Sequence, residues 1–312
     1  MDSPHGHSHS HGLDATTGRT NRARLGIAIG IVSVVLIVEA VGGLLSGSLA
    51  LFADAGHMLS DLTGLVVALV ATVIALRPAT DTQTFGHRRS EVFAAFINGA
   101  ILLGVVVVIV VEAVSRLLSP VGEPVDTTIM LVIAIVGAIA NTAALLVLRG
   151  GAKDSINMRG AYLEVLGDLI GSFAVIVAAI VIMISGFQRA DSIASLLIAA
   201  LVLPRAIVLL RDVIRVLNQS TPRGTDVALI REHVLAKAGV VSVHDVHVWS
   251  ITPGANVFSA HVVVETAVFR QGRTDALLDS LSSCLAQHFD VEHSTFQLEP
   301  AEHADHELEQ HR

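Results

Sequence analysis

The sequence predicts a bundle of six transmembrane α-helices followed by a small C-terminal α/β domain of order helix, strand, strand, helix, strand. Three observations carry that prediction. The 312 residues are 52% hydrophobic and only 15% charged, with a mean hydropathy of +0.67, outside the range of soluble domains. Six apolar runs, each long enough to cross roughly 30 Å of hydrocarbon, precede Asn218. After Asn218 the pattern changes to short amphipathic and alternating segments of the soluble kind.

In chain order, residues 1–21 form a disordered tail containing His5, His7, His9 and His11 between Gly and Ser, a run that chelates divalent ions but builds no core. No signal peptide is evident, because Arg22 and Arg24 lead into an apolar run too long for one. The membrane part spans residues 22–217, with helices over 25–45, 48–76, 92–118, 128–148, 161–187 and 193–217. Their connectors set the orientation. Arg19, Arg22, Arg24, Arg77, Arg88, Arg89, Arg149, Lys153, Arg159, Arg205, Arg211 and Arg215 fall on one side, and only Arg116 and Arg189 on the other, which predicts both termini in the cytoplasm. The formal charge of −8 reflects carboxylates gathered in the last hundred residues, so the basic residues report topology and nucleic acid is no partner. One Trp and one Tyr provide no aromatic belt.

The cytoplasmic domain covers residues 218–300. Thr225 caps a helix over 226–238; strands over 243–251 and 257–265 are joined by a loop at 252–256; Thr274 opens a second helix, and a third strand runs over 291–298. About 80 residues with an open sheet face bury little surface, so a homodimer through this domain is expected. The single cysteine, Cys284, excludes a disulfide framework or a thiolate-rich metal site within one chain and reads as apolar filler. Residues 301–312, with His303, His306, His311 and several carboxylates, form a disordered tail.

The chemistry lies in the apolar runs. His57 and Asp61 stand four residues apart in the second helix, so they share one face with Cβ atoms roughly 5–6 Å apart. Glu164 and Asp168 repeat that spacing in the fifth, 107 residues later, where Leu166, Leu169 and Gly171 match Leu59, Leu62 and Gly64. Ionisable groups at such depth cost about 2.5–3.5 kcal/mol each and face a partner, a cavity or an ion path. The matched pairs run antiparallel, as in a three-plus-three inverted repeat with its site near the midplane. One imidazole and three carboxylates converging from two helices make a tetrahedral N,O site suited to Zn²⁺, with Cd²⁺ and Co²⁺ compatible. Metal and protons compete for the same oxygens, which is sufficient for exchange if the bundle opens the site to each side in turn. Among other polar groups, Glu39, Asp54, Asn98, Glu112 and Asn141 are candidates to assist proton movement and none is read as a metal ligand; Glu39 and Asp54 lie toward the outer helix ends and are expected to reach water, and Asn98 and Asn141 to bond between helices. Three functions compete with transport. A non-transporting membrane metal sensor or scaffold has no use for two intramembrane ligand pairs. An intramembrane metalloprotease lacks His-Glu-x-x-His and an open coordination position, so no enzyme is expected. A channel would pass metal without proton counterflow.

Three segments resemble one family. Gly47-Ser48-Leu49-Ala50-Leu51-Phe52-Ala53-Asp54-Ala55-Gly56-His57-Met58-Leu59-Ser60-Asp61 is similar to the second-helix signature of the cation diffusion facilitators, in the branch of bacterial and vesicular zinc exporters. Phe85-Gly86-His87-Arg88-Arg89-Ser90-Glu91 resembles that family's loop before the third helix, and Val243-His244-Asp245-Val246-His247-Val248-Trp249-Ser250 its cytoplasmic signature. The resemblance implies a six-helix bundle with a ferredoxin-like, metallochaperone-like cytoplasmic domain. It implies a homodimer in a bacterial inner membrane, with lipid around it, exporting Zn²⁺ in exchange for H⁺. Transport ligands fall on His57, Asp61, Glu164 and Asp168; many zinc members carry histidine where Glu164 stands, and the harder carboxylate leaves two readings, zinc or a broader Zn, Cd, Co or Mn range, while His57 argues against a dedicated manganese or iron site. Cytoplasmic ligands fall on His244, His261 and Glu299, a site for bound structural or regulatory zinc, while Gln297 replaces a histidine of some relatives. A hairpin pairing Ile251 with Val257 instead sets His247 opposite His261, so His247 stands as a rival. His87 either joins Asp81 in a labile third site or orders the loop through hydrogen bonds. No organic cofactor is expected.

Overall fold

The computed structural model describes residues 15–75, 77–119, 124–150 and 156–302, so the histidines at 5–11, Lys153, His303, His306 and His311 lie outside the described residues. Six long helices come first: α1 Ala15–Ser46, α2 Leu49–Ala75, α3 Ser90–Leu118, α4 Thr127–Arg149, α5 Ile156–Ser185 and α6 Arg189–Leu217. The shortest has 23 residues, about 34 Å at 1.5 Å per residue, enough to cross a bilayer core. Among the described residues, five stretches are apolar enough over enough length to span a membrane: Ala23–Ser46, Ser90–Leu118, Thr127–Arg149, Met158–Ser185 and Arg189–Leu217. α2 supplies the sixth helix of the bundle, with 27 residues.

The chain divides into two compact units, the first from residues 1–65 and 100–207, the second from 66–99 and 208–312. In the first unit, α1 packs on α4 and α4 on α5. Gly42 permits the α1–α4 approach, since a Cβ there would collide with Ile133. Aliphatic side chains of α2 to α6, among them Leu51, Leu102, Met130, Val175 and Ile198, form the apolar interior. Others such as Val34, Val108, Ile139 and Ile184 are exposed, as suits helices whose outer solvent is lipid. Two acids fix helix starts. Asp126 caps α4, its Oδ1 accepting from Thr128 N at 3.0 Å and Ile129 N at 3.1 Å. Buried Asp191, at the start of α6, caps α2 from 143 residues away: Oδ1 accepts from Ser48 Oγ at 2.6 Å and Ala50 N at 3.2 Å, and Oδ2 from Leu49 N at 2.7 Å. Ser48 follows Gly47, whose φ of 69° closes α1.

The second unit contains the ends of α2 and α6, the start of α3 and the C-terminal domain. That domain runs α7 Val227–Leu235, β1 Val240–Thr252, β2 Ala255–Val264, α8 Thr266–Arg270, α9 Thr274–His288 and β3 Val291–Pro300. The sheet order is β1-β2-β3, with β1 and β2 antiparallel and β2 and β3 parallel. A parallel pair needs a crossover, which α8 and α9 provide. Ile230, Val234, Phe258, Val262, Leu281 and Leu285 lie in one core between the sheet and its helices.

Three local expectations change. Asp226, not Thr225, caps α7, accepting from Ala228 N at 2.9 Å and Leu229 N at 3.3 Å; α7 ends at Leu235, past which Lys237 N bonds Val234 O in a tighter turn. The short α8 was absent from the expected order, its five residues being too few for an apolar period. The hairpin closes over Pro253-Gly254, with Gly254 at φ 84° and Thr252 opposite Ala255, not over the five residues 252–256.

Candidate functional site

Helical periodicity places the first pair of ligand-type residues on α2 and the second on α5, and the fold brings them together inside the first unit. His57 Nε2 lies 3.4 Å from Asp61 Oδ2 and 3.7 Å from Asp168 Oδ1. One ligand-type atom from each of His57, Asp61 and Asp168 falls within 4.8 Å of the others, a grouping a single metal ion can bridge. His57 and Asp168 are buried, and Asp61 is half-buried. Glu164, half-buried one turn before Asp168, stands outside that trio but lines the same cavity of about 580 Å³ as Asp61 and Asp168. The remaining walls come from α1 (Leu25 to Val32), Met58 and Leu62 of α2, Leu148 of α4, and Gly160, Ala161 and Val165 of α5. Leu148 lies at the end of α4 and Gly160 and Ala161 at the start of α5, so the cavity approaches the acids from the α4–α5 end.

Sequence reasoning missed one member of the site. Arg205, assigned to the basic end of α6, places Nη1 3.2 Å from His57 Nε2. Gly167 makes room for it, since a Cβ there would stand 3.3 Å from Arg205 Nη2. A signal was available: Arg205 precedes Arg211 by six residues and so sits inside the span, apart from the basic cluster at its end. The expectation that Glu39 and Asp54 reach water is also overturned. Glu39 is 0% and Asp54 1% exposed. Gly137 and Gly171 hold open the space into which their carboxylates turn. Asn141 bonds between helices as expected, Nδ2 donating to Ser172 Oγ at 3.4 Å. Glu112 accepts from Arg116 Nε at 2.9 Å.

A second grouping lies in the C-terminal domain. His261 Nδ1 is 2.8 Å from Glu299 Oε1, His244 Nε2 is 3.6 Å from Glu299 Oε2, and the two imidazole centroids are 5.1 Å apart. Glu299 is buried, and Gln297 Nε2 donates to its Oε1 at 2.7 Å. The register decides between the two candidate histidines: His244 pairs with His261, whereas His247 pairs with Ser259. The irregularity lies between these pairs, where Asp245 adopts φ 48° and shifts the strand, a bulge that strict alternation does not reveal. His87 and Asp81 enter no group of three ligand atoms among the described residues. His87 is half-buried beside a cavity shared with Trp249 and Ile251, while Asp81 is exposed.

Comparison with known proteins agrees with this architecture in both parts. Residues 25–218 match the cation efflux transmembrane domain, and residues 222–301 match the cytoplasmic domain of cation efflux proteins. The metal cation efflux system protein CzcD of Cupriavidus metallidurans is 42% identical over 96% of this chain and 92% of its own length. The cadmium, cobalt and zinc/H(+)-K(+) antiporter of Bacillus subtilis is 38% identical over 96% of this chain and 93% of its own. The zinc transporter ZitB of Escherichia coli is 40% identical over 94% of this chain and 92% of its own. With both domains matched and relatives of this similarity spanning nearly their whole length, the chain belongs to the cation efflux family, the cation diffusion facilitators, in the zinc, cadmium and cobalt branch.

Proposed function

We propose that this protein exports Zn²⁺, and with it Cd²⁺ and Co²⁺, from the cytoplasm in exchange for protons, working by alternating access as a homodimer in a bacterial inner membrane. Residues 22–217 form the membrane part and residues 218–300 the cytoplasmic, dimerising part. His57, Asp61, Glu164 and Asp168 are the transport ligands in this reading. The observation that carries it is the meeting of His57, Asp61 and Asp168 within 4.8 Å, deep between apolar helices and beside a cavity that also takes in Glu164. One nitrogen and several carboxylate oxygens suit a borderline dication, and because those oxygens also take protons, loading on one side and protonation on the other drive the exchange. The basic connectors support a cytoplasmic position for both termini and for the mouth of the cavity at the α4–α5 end. The three relatives described above carry names that state metal efflux or zinc transport, and one states exchange for H⁺ and K⁺. His244, His261 and Glu299 hold a further ion in the cytoplasmic domain, with regulatory or structural use.

The test is Zn²⁺ flux in proteoliposomes under an imposed pH gradient, with lumenal metal and pH followed together. Opposed, coupled fluxes are expected for the unaltered chain and their loss in Asp61→Ala and Asp168→Ala, with fold and dimer retained. Metal movement without proton counterflow would identify a channel, normal flux in Asp168→Ala would remove the proposed ligands, and no flux with any divalent ion would identify a sensor.

A further inference from the structure

Four helices of the first unit bring together a second polar set that the transport ligands do not use. Glu39 of α1 and Asn141 of α4 are 0% exposed and Asp54 of α2 is 1% exposed. Both Glu39 carboxylate oxygens, Asp54 Oδ2 and Asn141 Oδ1 are buried without a hydrogen-bond partner. Ser172 of α5 links the set, its Oγ accepting from Asn141 Nδ2 at 3.4 Å and hydrogen-bonding the Asp54 side chain. The space is built for these groups: a Cβ at Gly137 would strike Glu39 Oε1 and stand 3.3 Å from Ser172 Oγ, and one at Gly171 would strike the Asp54 carboxylate.

Position follows from chain direction. Glu39 lies seven residues beyond Val32, Asp54 seven before Asp61, Asn141 seven before Leu148, and Ser172 four beyond Asp168. Because α1 and α5 run opposite to α2 and α4 in this sequence of alternating spans, all four offsets point the same way. They point away from the cavity mouth, by about 6–10 Å at the helical rise. Among the described residues, the charged groups acting on this set are Glu39, Asp54 and Asp168, all acidic, while the nearby cation Arg205 engages His57, Asp61 and Asp168. Buried carboxylates without a cation are costly, and in a membrane they persist where an ion visits. The free donors here are all oxygens, with neither imidazole nor thiolate, a set that suits a hard cation better than the borderline dication of the transport site.

We propose that Glu39, Asp54 and Asn141 form a counter-cation site, separate from the metal ligands, that takes a hard monovalent ion, a proton or an alkali cation, as the metal leaves. This rests on the transport reading above. Asp168 links the two sites, being a member of the first and the charged neighbour of the second, so a cation at Glu39 and Asp54 weakens the hold on the dication, and the reverse.

The test uses the reconstituted full chain and measures the Zn²⁺ accumulation ratio against an opposed pH gradient in one arm and an opposed K⁺ gradient in the other. A tenfold gradient of the true counter-cation raises that ratio about tenfold for each ion exchanged. The pH arm identifies a proton and the K⁺ arm an alkali ion. Glu39→Gln and Asp54→Asn are expected to lose the response, while Zn²⁺ binding to the solubilised protein stays within about a factor of 10 of the unaltered chain. Gly137→Ala leaves every charge in place and encroaches on the space at Glu39 Oε1; it is expected to lose the response in the same way, and it keeps the test open if a charge variant fails to fold. A gradient response like that of the unaltered chain in all three variants overturns the inference. If those variants respond normally while Asp168→Ala is inactive, only the counter-cation site falls; if Asp168→Ala is also normal, the transport reading falls with it.

Discussion

At the scale of single residues, Arg205 decides how the site handles charge. Its Nη1 stands 3.2 Å from His57 Nε2, the nitrogen that also faces Asp61 and Asp168. Guanidinium and dication are therefore alternatives for the same region, and the arginine lowers the cost of holding three acids together in a low-dielectric interior. Arg205→Gln removes the competitor, so Zn²⁺ affinity measured by calorimetry should rise, by about tenfold for a coupling of about 1.4 kcal/mol. Unchanged affinity would mean that the guanidinium does not contest the metal position. The four ligand candidates were legible because an i, i+4 pair of ionisable residues is rare in an apolar run and here occurs twice. Arg205 was not, because basic residues near helix ends serve as topology signals, and only depth separates the two roles: sixteen residues beyond Arg189, it lies about 24 Å along α6.

At the scale of elements, local chemistry fixed most boundaries and distant chemistry fixed the rest. Hydropathy and connectors set the six long helices to within a few residues at most ends, while the cap that Asp191 lends to α2 spans 143 residues and has no local trace. The β1–β2 pairing teaches the same lesson. Alternation alone carried the register from the turn and placed His247 opposite His261; the irregularity around Asp245, with its positive φ, brings in His244 instead. The two registers predict different metal binding. Zn²⁺ stoichiometry of the full chain should fall by one per protomer in His244→Ala and in His261→Ala and remain unchanged in His247→Ala. Loss of the ion in His247→Ala but not in His244→Ala would restore the register of strict alternation.

At the scale of the whole molecule, a transporter must give its site access to one side at a time, and two features of the membrane unit bear on that. The cavity beside Asp61, Glu164 and Asp168 is walled by the middle of α1 and α2, the end of α4 and the start of α5. In the opposite direction along the same helices, Glu39 and Asp54 are shut from solvent, and Asp191 joins the start of α6 to the start of α2. Access from the α4–α5 end with closure at the other fits one half of the alternating cycle proposed above. Composition carried the class and the spans into view, but which end of the site is open depends on small differences between packed helices that no pattern of single residues encodes. Cysteine accessibility reads it directly. With the buried Cys284 replaced by Ser, Ala161→Cys in the cavity wall should react with a membrane-impermeant maleimide added from the side of the α4–α5 connection, and Ala50→Cys, in the closed end, should not. Under an opposed ion gradient with Zn²⁺ present, labelling at 161 should slow as the population shifts toward the other access state, because a ligand moves such an equilibrium only by its differential affinity for the two states. Labelling at 161 that stays constant under every metal and gradient condition, while Zn²⁺ flux continues, would exclude this motion and require a path that bypasses the cavity.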